Sequence, residues 1–599
     1  MRPLLSALPT CLVLALAAAG PARAQNADLP PEQDRWIEIR TPSFVLWSDG
    51  SERNAREVAW RLERLRAVLG QLNPGLKLTS PNPTYVFVFR TTAAFKPYRR
   101  VYNGKAVDVG GYFITHPEAS WVAVNGDPRS DEESIINHEY LHSILRNNYP
   151  SLPLWFNEGM AEVYSSFQVT DREARIGLPI AEHVYWLRRH SLIPPAQLFA
   201  MDQSSPDYNE GARRGVFYAE SWALVHYLLV GKPELRLKAP LYFREMARDQ
   251  PAPDAFRAAF GLNEATLEQE IRAYVRKRLY EVQDVPVQPT DAIAEQSFPK
   301  RDLPRAEALA RLGELLINLD STLWPTAAEH FRAALALDPE QPQALAGLGW
   351  IESLSGRPQE ARPWLAKAAA KAPDDVIIQY LYGTALLDGT SGPAEARQAQ
   401  AALARAVALQ PEFGEAWARL AFAQAQEDPL PADAVLSFET AHRLLPARSD
   451  IAYNLVLACA RSGRRDRAQE VIDHVLAVHG SPEELQKARA ALVNEQRRDA
   501  EDLIGKGDLA KAAALLAELA QQPAATSEQK ADLLGRLADV RHVLDYNSFV
   551  DRYNQAIELA AREPEAAIAI LEELVATSRE PGQVEQAKRV LESLKAERR

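Results

Sequence analysis

The segment NHEYLH at residues 137–142 places two histidines four positions apart with a glutamate between them. It lies in a stretch with helical periodicity that opens at Ser130–Asp131, two residue types that cap helix N-termini well. On a helix, His138 and His142 lie one turn apart on the same face, so both imidazoles can reach one metal ion. Glu139 is offset by one residue and is therefore placed beside the ion, where its carboxylate can accept a proton from a water molecule. This spacing predicts a metal site on a helix.

A second predicted helix supplies a carboxylate for the same site. It follows a connection with two prolines, residues 149–153, which ends the first helix and permits a sharp reversal of the chain. At 1.5 Å per residue, His142 lies about 9 Å before that break and Glu158 about 6 Å after it, so antiparallel helices would bring them level. Two imidazoles, one carboxylate and one open position form a catalytic zinc shell. Glu162, one turn beyond Glu158, is predicted to accept the second N–H of a liganding histidine.

HEYLH followed by WFNEGMAE, residues 155–162, resembles the gluzincin metallopeptidases, and specifically the compact peptidase MA-like domains that accompany tetratricopeptide repeats. The resemblance implies an α+β zincin-like catalytic domain and one zinc ion per chain. It also implies that His138, His142 and Glu158 hold the ion and that Glu139 is the general base in peptide-bond hydrolysis. The connection between His142 and Glu158 is shorter than in the larger members of the family, which suits a minimal domain. The alternative is a helix with surface histidines, which leaves Glu158 and Glu162 unexplained.

Further residues are interpreted through the same resemblance. Tyr218, in the segment FYAESWALVHYL at residues 217–228, corresponds to a tyrosine that hydrogen-bonds the oxyanion of the tetrahedral intermediate. A tyrosine packed at a helix start is the alternative. His226 lies on an apolar helix face, which favours a satisfied core histidine over a metal ligand. Residues 120–125 (SWVAVN) are expected to form the edge strand that pairs with an extended peptide substrate.

The C-terminal half contains internal repeats with a different composition, rich in Ala, Leu, Arg and Glu. Four aligned segments end in prolines that are spaced by 34, 38 and 35 residues, namely Pro339, Pro373, Pro411 and Pro446. A helix–turn–helix repeat near 34 residues with a closing proline is typical of tetratricopeptide repeats, which stack into a solenoid. Three later segments are expected to be divergent or capping repeats: 466–478, 507–520 and 563–577. A plain helical bundle is the alternative.

These patterns predict four parts of the chain. Residues 1–24 are predicted to be a secretory signal peptide, because a positive start and a short apolar run precede a small-x-small site before Gln25. Residues 25–281 form the predicted peptidase domain, with strands at residues 84–89 and in a hairpin of residues 110–124. Residues 282–301 contain three prolines and no helical periodicity, which predicts a linker. Residues 302–599 form the predicted all-α solenoid.

Composition limits the partners and the location. The chain has 599 residues, of which 25% are charged and 47% hydrophobic, and a formal net charge of −12. The negative charge argues against nucleic acid as a partner. The signal peptide predicts export, most consistently to a periplasm, and no later stretch is apolar enough for a transmembrane segment. Cys459 alone would remain after cleavage, so the sequence predicts no internal disulfide and a buried, unreactive cysteine.

The sequence leaves two classes of function open. The first is an exported zinc metallopeptidase that acts on a peptide or protein substrate, with repeats that bind a protein partner. The second is a catalytically inactive zinc-binding protein or a repeat scaffold of the cell envelope. Metal content and chelator-sensitive peptide cleavage distinguish the two classes.

Overall fold

The computed structural model describes residues 29–597 except 79, 81, 103–104, 107–109, 128–131, 149–151, 171, 203–204, 206–210, 247–249, 288–296, 389–391, 447, 478–479 and 524. The predicted signal peptide and the predicted helix cap at Ser130–Asp131 lie outside these described residues. The chain divides between Phe413 and Gly414 into two compact units.

The first unit contains the strands and the helices that precede Gly414. Its strands are β1 Trp36–Arg40, β2 Val45–Ser48, β3 Thr84–Phe89, β4 Val101–Tyr102, β5 Lys105–Ala106, β6 Gly111–Thr115, β7 Ser120–Asn125, β8 Gln168–Val169, β9 Glu173–Ile176, β10 Gln283–Pro286 and β11 Lys300–Leu303. Its α-helices before the repeats are α1 Glu52–Leu72, α2 Thr92–Phe95, α3 Glu132–Asn148, α4 Leu154–Ser165, α5 Ala181–Arg189, α6 Pro195–Ala200, α7 Gly211–His226, α8 Pro233–Arg236, α9 Ala239–Met246, α10 Ala252–Phe260 and α11 Glu264–Tyr274. The repeat helices of this unit are α12 Arg305–Leu319, α13 Trp324–Leu337, α14 Pro342–Leu354, α15 Pro358–Lys371, α16 Val376–Leu387 and α17 Pro393–Leu409.

Strands and helices are combined in the first unit through a six-stranded sheet in the order β11-β1-β2-β3-β7-β6. The pairs β2–β3 and β3–β7 are parallel, and the other pairs are antiparallel. The predicted hairpin is present, since Phe113 pairs with Val122. The predicted edge strand is wrong, because Ser120–Asn125 pairs with β3 on one side and with β6 on the other. Among the described residues, the strand at that edge of the sheet is Gly111–Thr115.

Both faces of this sheet are buried, and the alternation along β3 gives the reason. Val86 and Val88 point to one face and belong to the core that α1 and α3 cover. Phe87 and Phe89 point to the opposite face and are fully buried. Trp47 of β2 packs there against Phe87, with 5.0 Å between ring centroids. The strand therefore has apolar residues at every position from Val86 to Phe89 rather than a polar face.

The aromatic face of the sheet packs against the first repeats. The ring of Trp121 on β7 lies 6.1 Å from that of Trp350 on α14. The guanidinium of Arg311 on α12 lies 4.8 Å above the ring of Trp47. Since both contacts join the sheet to repeat helices within the first unit, the first repeats do not form a separate body from the sheet.

A buried charge cluster lies at this junction and is called here the junction cluster: Arg311, Glu314 and Asp375. Arg311 donates from Nη1 to both carboxylate oxygens of Glu314, at 3.1 and 3.0 Å, and from Nη2 to Asp375 at 3.3 Å. Burial raises the pKa of Glu314 to about 7, although Arg311 acts in the opposite direction. The guanidinium cannot lose its proton, so it remains the cation of this cluster.

Residues 282–301 differ from the predicted linker. Gln283–Pro286 pairs antiparallel with Glu173–Ile176, and Lys300–Leu303 pairs antiparallel with Trp36–Arg40. Both segments are outer strands of their sheets, where a proline or a neighbouring proline removes no ladder hydrogen bond. The prolines in this segment are therefore compatible with edge strands, and only residues 288–296 lie outside the described part.

Strand β11 is fastened to the sheet by a buried carboxylate, Glu38. Arg301 donates from Nε and Nη2 to the two oxygens of Glu38, at 2.8 and 2.7 Å. Trp47 and Arg40 donate to the same carboxylate at 3.0 and 2.7 Å. Burial alone would raise the pKa of Glu38, but the hydrogen bonds from Arg301, Trp47 and Arg40 outweigh it and lower the pKa to about 2.

The second unit is built from helices, and its bounds are α18 Gly414–Ala425, α19 Ala432–Leu444, α20 Ser449–Arg461, α21 Arg465–Val471, α22 Pro482–Gly505, α23 Leu509–Gln521, α24 Ser527–Leu559, α25 Pro564–Thr577 and α26 Pro581–Ala596. A π-helical turn, Ile472–Leu476, follows α21. Cys459 on α20 is fully buried and not in a disulfide, as predicted.

The repeat pattern read from the prolines matches the helices in both units. The second helix of each of the four aligned repeats ends two residues before its closing proline, at Leu337, Lys371, Leu409 and Leu444. Within each unit, consecutive repeat helices pack against each other. Helices also lie over the three segments expected to be divergent repeats. Helical hairpins of this kind bury their apolar faces by stacking on their neighbours.

In the part of the chain that the structure describes, no helix has the length and apolar character needed to cross a membrane.

Candidate metal centre

Helix α3 orients the two histidines through its apolar positions. Tyr140, Leu141 and Ile144 are buried in the core of the first unit, which fixes the rotation of the helix. His138 and His142 lie on the flank of this buried face, and their side chains are 15% and 16% exposed. The helix therefore presents both imidazoles toward α4 instead of toward solvent.

Helix α4 brings a carboxylate to the same place. Trp155, Phe156 and Val163 anchor it in the core, and Glu158 is also buried. Gly159 lets α4 approach α7 closely, because a Cβ at this position would collide with the main chain of Ser221. A glycine beside Glu158 thus permits the packing of the two helices that flank the site.

Three potential ligand atoms converge between these helices. The Nε2 atoms of His138 and His142 are 3.0 Å apart. Glu158 Oε2 lies 3.4 Å from the first and 3.3 Å from the second. In a tetrahedral zinc shell with ligands at about 2.0–2.2 Å, neighbouring ligand atoms lie about 3.3–3.6 Å apart. The three ligand atoms and the distances between them fit one zinc ion. Among the described residues, His138, His142 and Glu158 are the group that could hold a metal ion together.

The second nitrogen of each histidine faces an acceptor. His138 Nδ1 lies 3.4 Å from Glu162 Oε1, and His142 Nδ1 lies 3.2 Å from Asn157 Oδ1. The Asn157 oxygen can only accept, so this hydrogen bond places a hydrogen on His142 Nδ1, and the charge of the nearby Glu162 carboxylate favours a hydrogen on His138 Nδ1. In the neutral ring, the lone pair is then on Nε2, which is the atom that faces Glu158. This arrangement prepares both imidazoles as metal ligands.

The electrostatics of the cluster fit a cation. Burial alone would lower the pKa of His138, but the hydrogen bond with Glu158 and the charge of Glu162 outweigh it and raise the pKa to about 9. Burial alone would raise the pKa of Glu158, but hydrogen bonds with His138 and His142 outweigh it and lower the pKa to about 2. In the metal-free protein at neutral pH, one proton therefore neutralises Glu158, and a metal ion would replace that proton.

The two predicted catalytic residues lie at this cluster. Glu139 follows His138 on α3 and is half-buried. Its charge adds to the rise in the pKa of His138, so the two groups are close enough to interact. The ring of Tyr218 on α7 lies 6.4 Å from the ring of His138, between centroids. Tyr218 thus borders the site, and it also packs against the core of the first unit.

Two residues of the site were not singled out in the sequence. Asn157 precedes Glu158, and the Asn-Glu pair itself is the signal that could have identified it. His183 on α5 lies 2.9 Å from Glu162 Oε2, between Nε2 and the oxygen. No spacing in the sequence connects His183 with Glu162, because the two lie on separate helices 21 residues apart.

His226 is fully buried, and its ring nitrogens form hydrogen bonds with Tyr274 Oη and with the carbonyl of Gly177, at 2.6 and 2.7 Å, as expected for a core histidine.

Comparison with known proteins identifies the repeats. The tetratricopeptide repeat family model matches residues 324–384. A search of curated proteins found no match. Residues 324–384 are therefore tetratricopeptide repeats, a repeat type whose extended surfaces bind other proteins.

Partial similarity to solved structures concerns helical repeats as well. One is YrrB, a tetratricopeptide repeat protein with an unusual peptide-binding site, at 23% identity and a TM-score of 0.27, covering 31% of this chain and 91% of that chain. A second is MamA, at 21% identity and a TM-score of 0.25, covering 29% and 91%. A third is PilF of Pseudomonas aeruginosa, at 19% identity and a TM-score of 0.27, covering 39% and 97%.

Proposed function

We propose that this protein is an exported, gluzincin-like zinc metallopeptidase with a zincin-like α+β catalytic part, whose tetratricopeptide repeats bind a protein partner. The observation that carries the proposal is the convergence of His138 Nε2, His142 Nε2 and Glu158 Oε2 to within 3.0–3.4 Å of one another. A zinc ion held by His138, His142 and Glu158 would supply the Lewis acidity that activates a water molecule and polarises a carbonyl group.

The chain supplies the remaining chemistry through its own residues. Glu139 accepts a proton from the attacking water and delivers it to the leaving amine. Tyr218 donates a hydrogen bond to the carbonyl oxygen on which negative charge develops. Glu162 and Asn157 hold the two histidine rings in the orientation that presents Nε2.

The unpaired edge of the sheet suits an extended peptide. Gly111–Thr115 pairs with β7 on one side only, as far as the described residues extend. This strand lies against the beginning of α3, since a Cβ at Gly111 would approach the side chain of Ile135. In the proposal, the substrate main chain adds to this strand by β-augmentation.

The test uses the full chain and one conservative variant. Zinc content is measured by mass spectrometry, and cleavage of a peptide library is measured with and without a chelator. Glu139→Gln is expected to retain zinc and lose at least about 100-fold in turnover, which is the lower range for a general base. Glu173→Gln, an exposed glutamate on β9, is the matched control and should leave both zinc and turnover unchanged. Full activity of Glu139→Gln would contradict the mechanism.

A second candidate function is a repeat scaffold with an inactive metal-binding part. The match of residues 324–384 to tetratricopeptide repeats favours it, and the comparisons support it more directly than the peptidase, because they bear on the repeats alone. Zinc binding without cleavage of any library peptide would favour the inactive metal protein. No zinc binding at all would favour the scaffold.

A further inference from the structure

We propose that His183 is a positioning residue of the metal centre, which fixes the Glu162 carboxylate and through it the ring of His138. The inference rests on the proposed function, since it concerns the orientation of a zinc ligand. His183 would not contact the metal ion or the substrate. It would act on the site through one intermediate carboxylate.

The geometry gives Glu162 two imidazole partners. Its Oε2 lies 2.9 Å from His183 Nε2, and its Oε1 lies 3.4 Å from His138 Nδ1. Because the carboxylate only accepts, the His183 ring donates an N–H to it, and the His138 ring lies within ion-pair distance of its other oxygen. The side chains of Glu162 and His183 are 14% and 12% exposed, so water competes weakly for these contacts. The carboxylate therefore bridges the zinc-ligand histidine on α3 and a histidine on α5.

His183 is itself held by elements other than α3 and α4. It lies on α5, which packs across α7. Its ring packs against Trp222, which is fully buried on α7, at 6.0 Å between centroids. Gly215 permits the close approach of the two helices, because a Cβ there would collide with the ring of Trp186. The anchor of Glu162 is thus a rigid contact between two helices.

The second partner matters because Glu162 is a flexible side chain. Ordering a glutamate side chain costs rotamer freedom, which opposes any contact that requires one rotamer. The shorter contact, to His183, limits that freedom before a metal ion binds, and leaves Oε1 aimed at His138. Loss of an outer partner of a metal ligand weakens metal affinity by roughly 10–100-fold. Since His183 acts one step further from the ion, its removal is expected to weaken zinc binding about 10-fold.

The experiment replaces His183 with glutamine or asparagine, two amide residues that differ in side-chain length. The amide nitrogen of glutamine can replace His183 Nε2, whereas that of asparagine corresponds to Nδ1 and stops short of Glu162. Nδ1 of His183 has no hydrogen-bond partner among the described residues, so the Nε2 contact is the hydrogen bond that the variants change. Both variants also replace the ring that packs against Trp222, so the comparison between them isolates the loss of the Nε2 donor. Zinc affinity of the full chain is measured by competition with a chromophoric chelator. His183→Asn is expected to bind zinc about 10-fold more weakly, and His183→Gln to stay within about 3-fold of the wild type.

A double-variant cycle tests whether His183 acts through Glu162. Glu162→Ala should weaken zinc binding, and adding His183→Asn should weaken it no further, because the bridge is already lost. His190→Asn, at the exposed end of the same helix, is the control and should leave zinc affinity unchanged.

Three results separate the inference from the function on which it rests. If His183→Asn binds zinc as tightly as the wild type, the positioning role is wrong and the proposed function stands. If the double variant shows additive losses, His183 does not act through Glu162, and the inference is again overturned. If the wild-type chain has no measurable zinc affinity, the proposed function itself fails. Should His183→Asn not fold, His183→Leu, which removes the Nε2 donor but keeps an apolar side chain against Trp222, replaces it in the same cycle.

Discussion

The metal-site cluster of His138, His142 and Glu158 and the junction cluster of Arg311, Glu314 and Asp375 bury similar numbers of charged groups in different ways. In the junction cluster, the guanidinium is a permanent cation and donates three hydrogen bonds to its two carboxylates. In the metal-site cluster, three atoms that can each offer a lone pair face one another, and a proton holds them together. The first cluster contains its own cation and needs no added ion, although Nε of Arg311 has no hydrogen-bond partner among the described residues. The second is completed by an exchangeable cation, which suits a binding site rather than a structural joint.

The largest expected effect breaks the junction cluster. Arg311→Met leaves Glu314 and Asp375 buried without their cation and is expected to lower the free energy of unfolding by about 3–5 kcal/mol. Arg405 pairs with the neighbouring aspartate, Asp374, but both side chains are largely exposed, so Arg405→Met should cost less than about 1 kcal/mol. Thermal and denaturant unfolding of both variants measure the difference. Equal stability of the two variants would show that the buried cation of the junction cluster does not contribute to the stability of the fold.

The next effect depends on the metal ion. Zinc at 100 times its Kd is expected to stabilise the wild-type chain by about 2.7 kcal/mol, because it binds the folded state. Glu158→Gln should lose this gain. Without metal it should cost less than Arg311→Met, since His138 can release its proton while a guanidinium cannot. Unfolding midpoints with zinc and with a chelator test the comparison. A large loss of stability in Glu158→Gln, measured with the chelator present, would show that this cluster is a structural joint instead of a binding site.

A third prediction concerns Glu38, which fastens β11 to the sheet. The pKa of Glu38 is lowered to about 2 in the folded chain from an ordinary value of 4.5. A lowered pKa contributes stability above pH 4.5, and that contribution disappears as the pH falls from 4.5 toward 2. Hydrogen bonds to a charged group of this kind contribute about 2 kcal/mol. Glu38→Gln should therefore be less stable than the wild type at pH 7, and the gap should narrow in acid.

The corresponding test uses unfolding of both proteins in the presence of a chelator, so that the metal site does not contribute to the difference. A gap between wild type and Glu38→Gln that stays constant from pH 7 to pH 3 would exclude the role assigned to this carboxylate.

The smallest predicted effect, taken per pH unit, is the pH dependence of zinc binding. His138 has its pKa raised to about 9, and the ion must displace its proton. Zinc affinity is therefore expected to rise with pH between 7 and 9, by up to about tenfold per pH unit for one displaced proton, or about 1.4 kcal/mol. Above the pKa of His138, this dependence should flatten. Competition titrations across the range measure it, and a Kd that is independent of pH would contradict the proton-for-metal exchange.

The sequence predicted those features of the site whose signals lie within a short stretch of the chain. His138, Glu139 and His142 follow from helix periodicity, and Glu158 follows from a proline-containing reversal between two helices. The closing prolines likewise predicted where the repeat helices end. Each of these signals lies within a few turns of one helix or in one short connection, so the 3.6-residue period carries it. The core role of His226 followed in the same way from the apolar face on which it lies.

The remaining features depend on residues far apart in the chain. The contact of Arg301 with Glu38 joins residues 263 positions apart. Strand β11 enters the sheet through its antiparallel pairing with β1, which is just as distant in the sequence. The identity of the edge strand, the packing of the sheet on the first repeats and the contact of His183 with Glu162 are of the same kind. The sequence by itself determined the helices and the ligand spacing, because hydrogen bonding within a helix repeats along the chain. Tertiary structure alone decided which distant partners complete them, because a period in the sequence shows that a face is buried but not which distant surface packs against it.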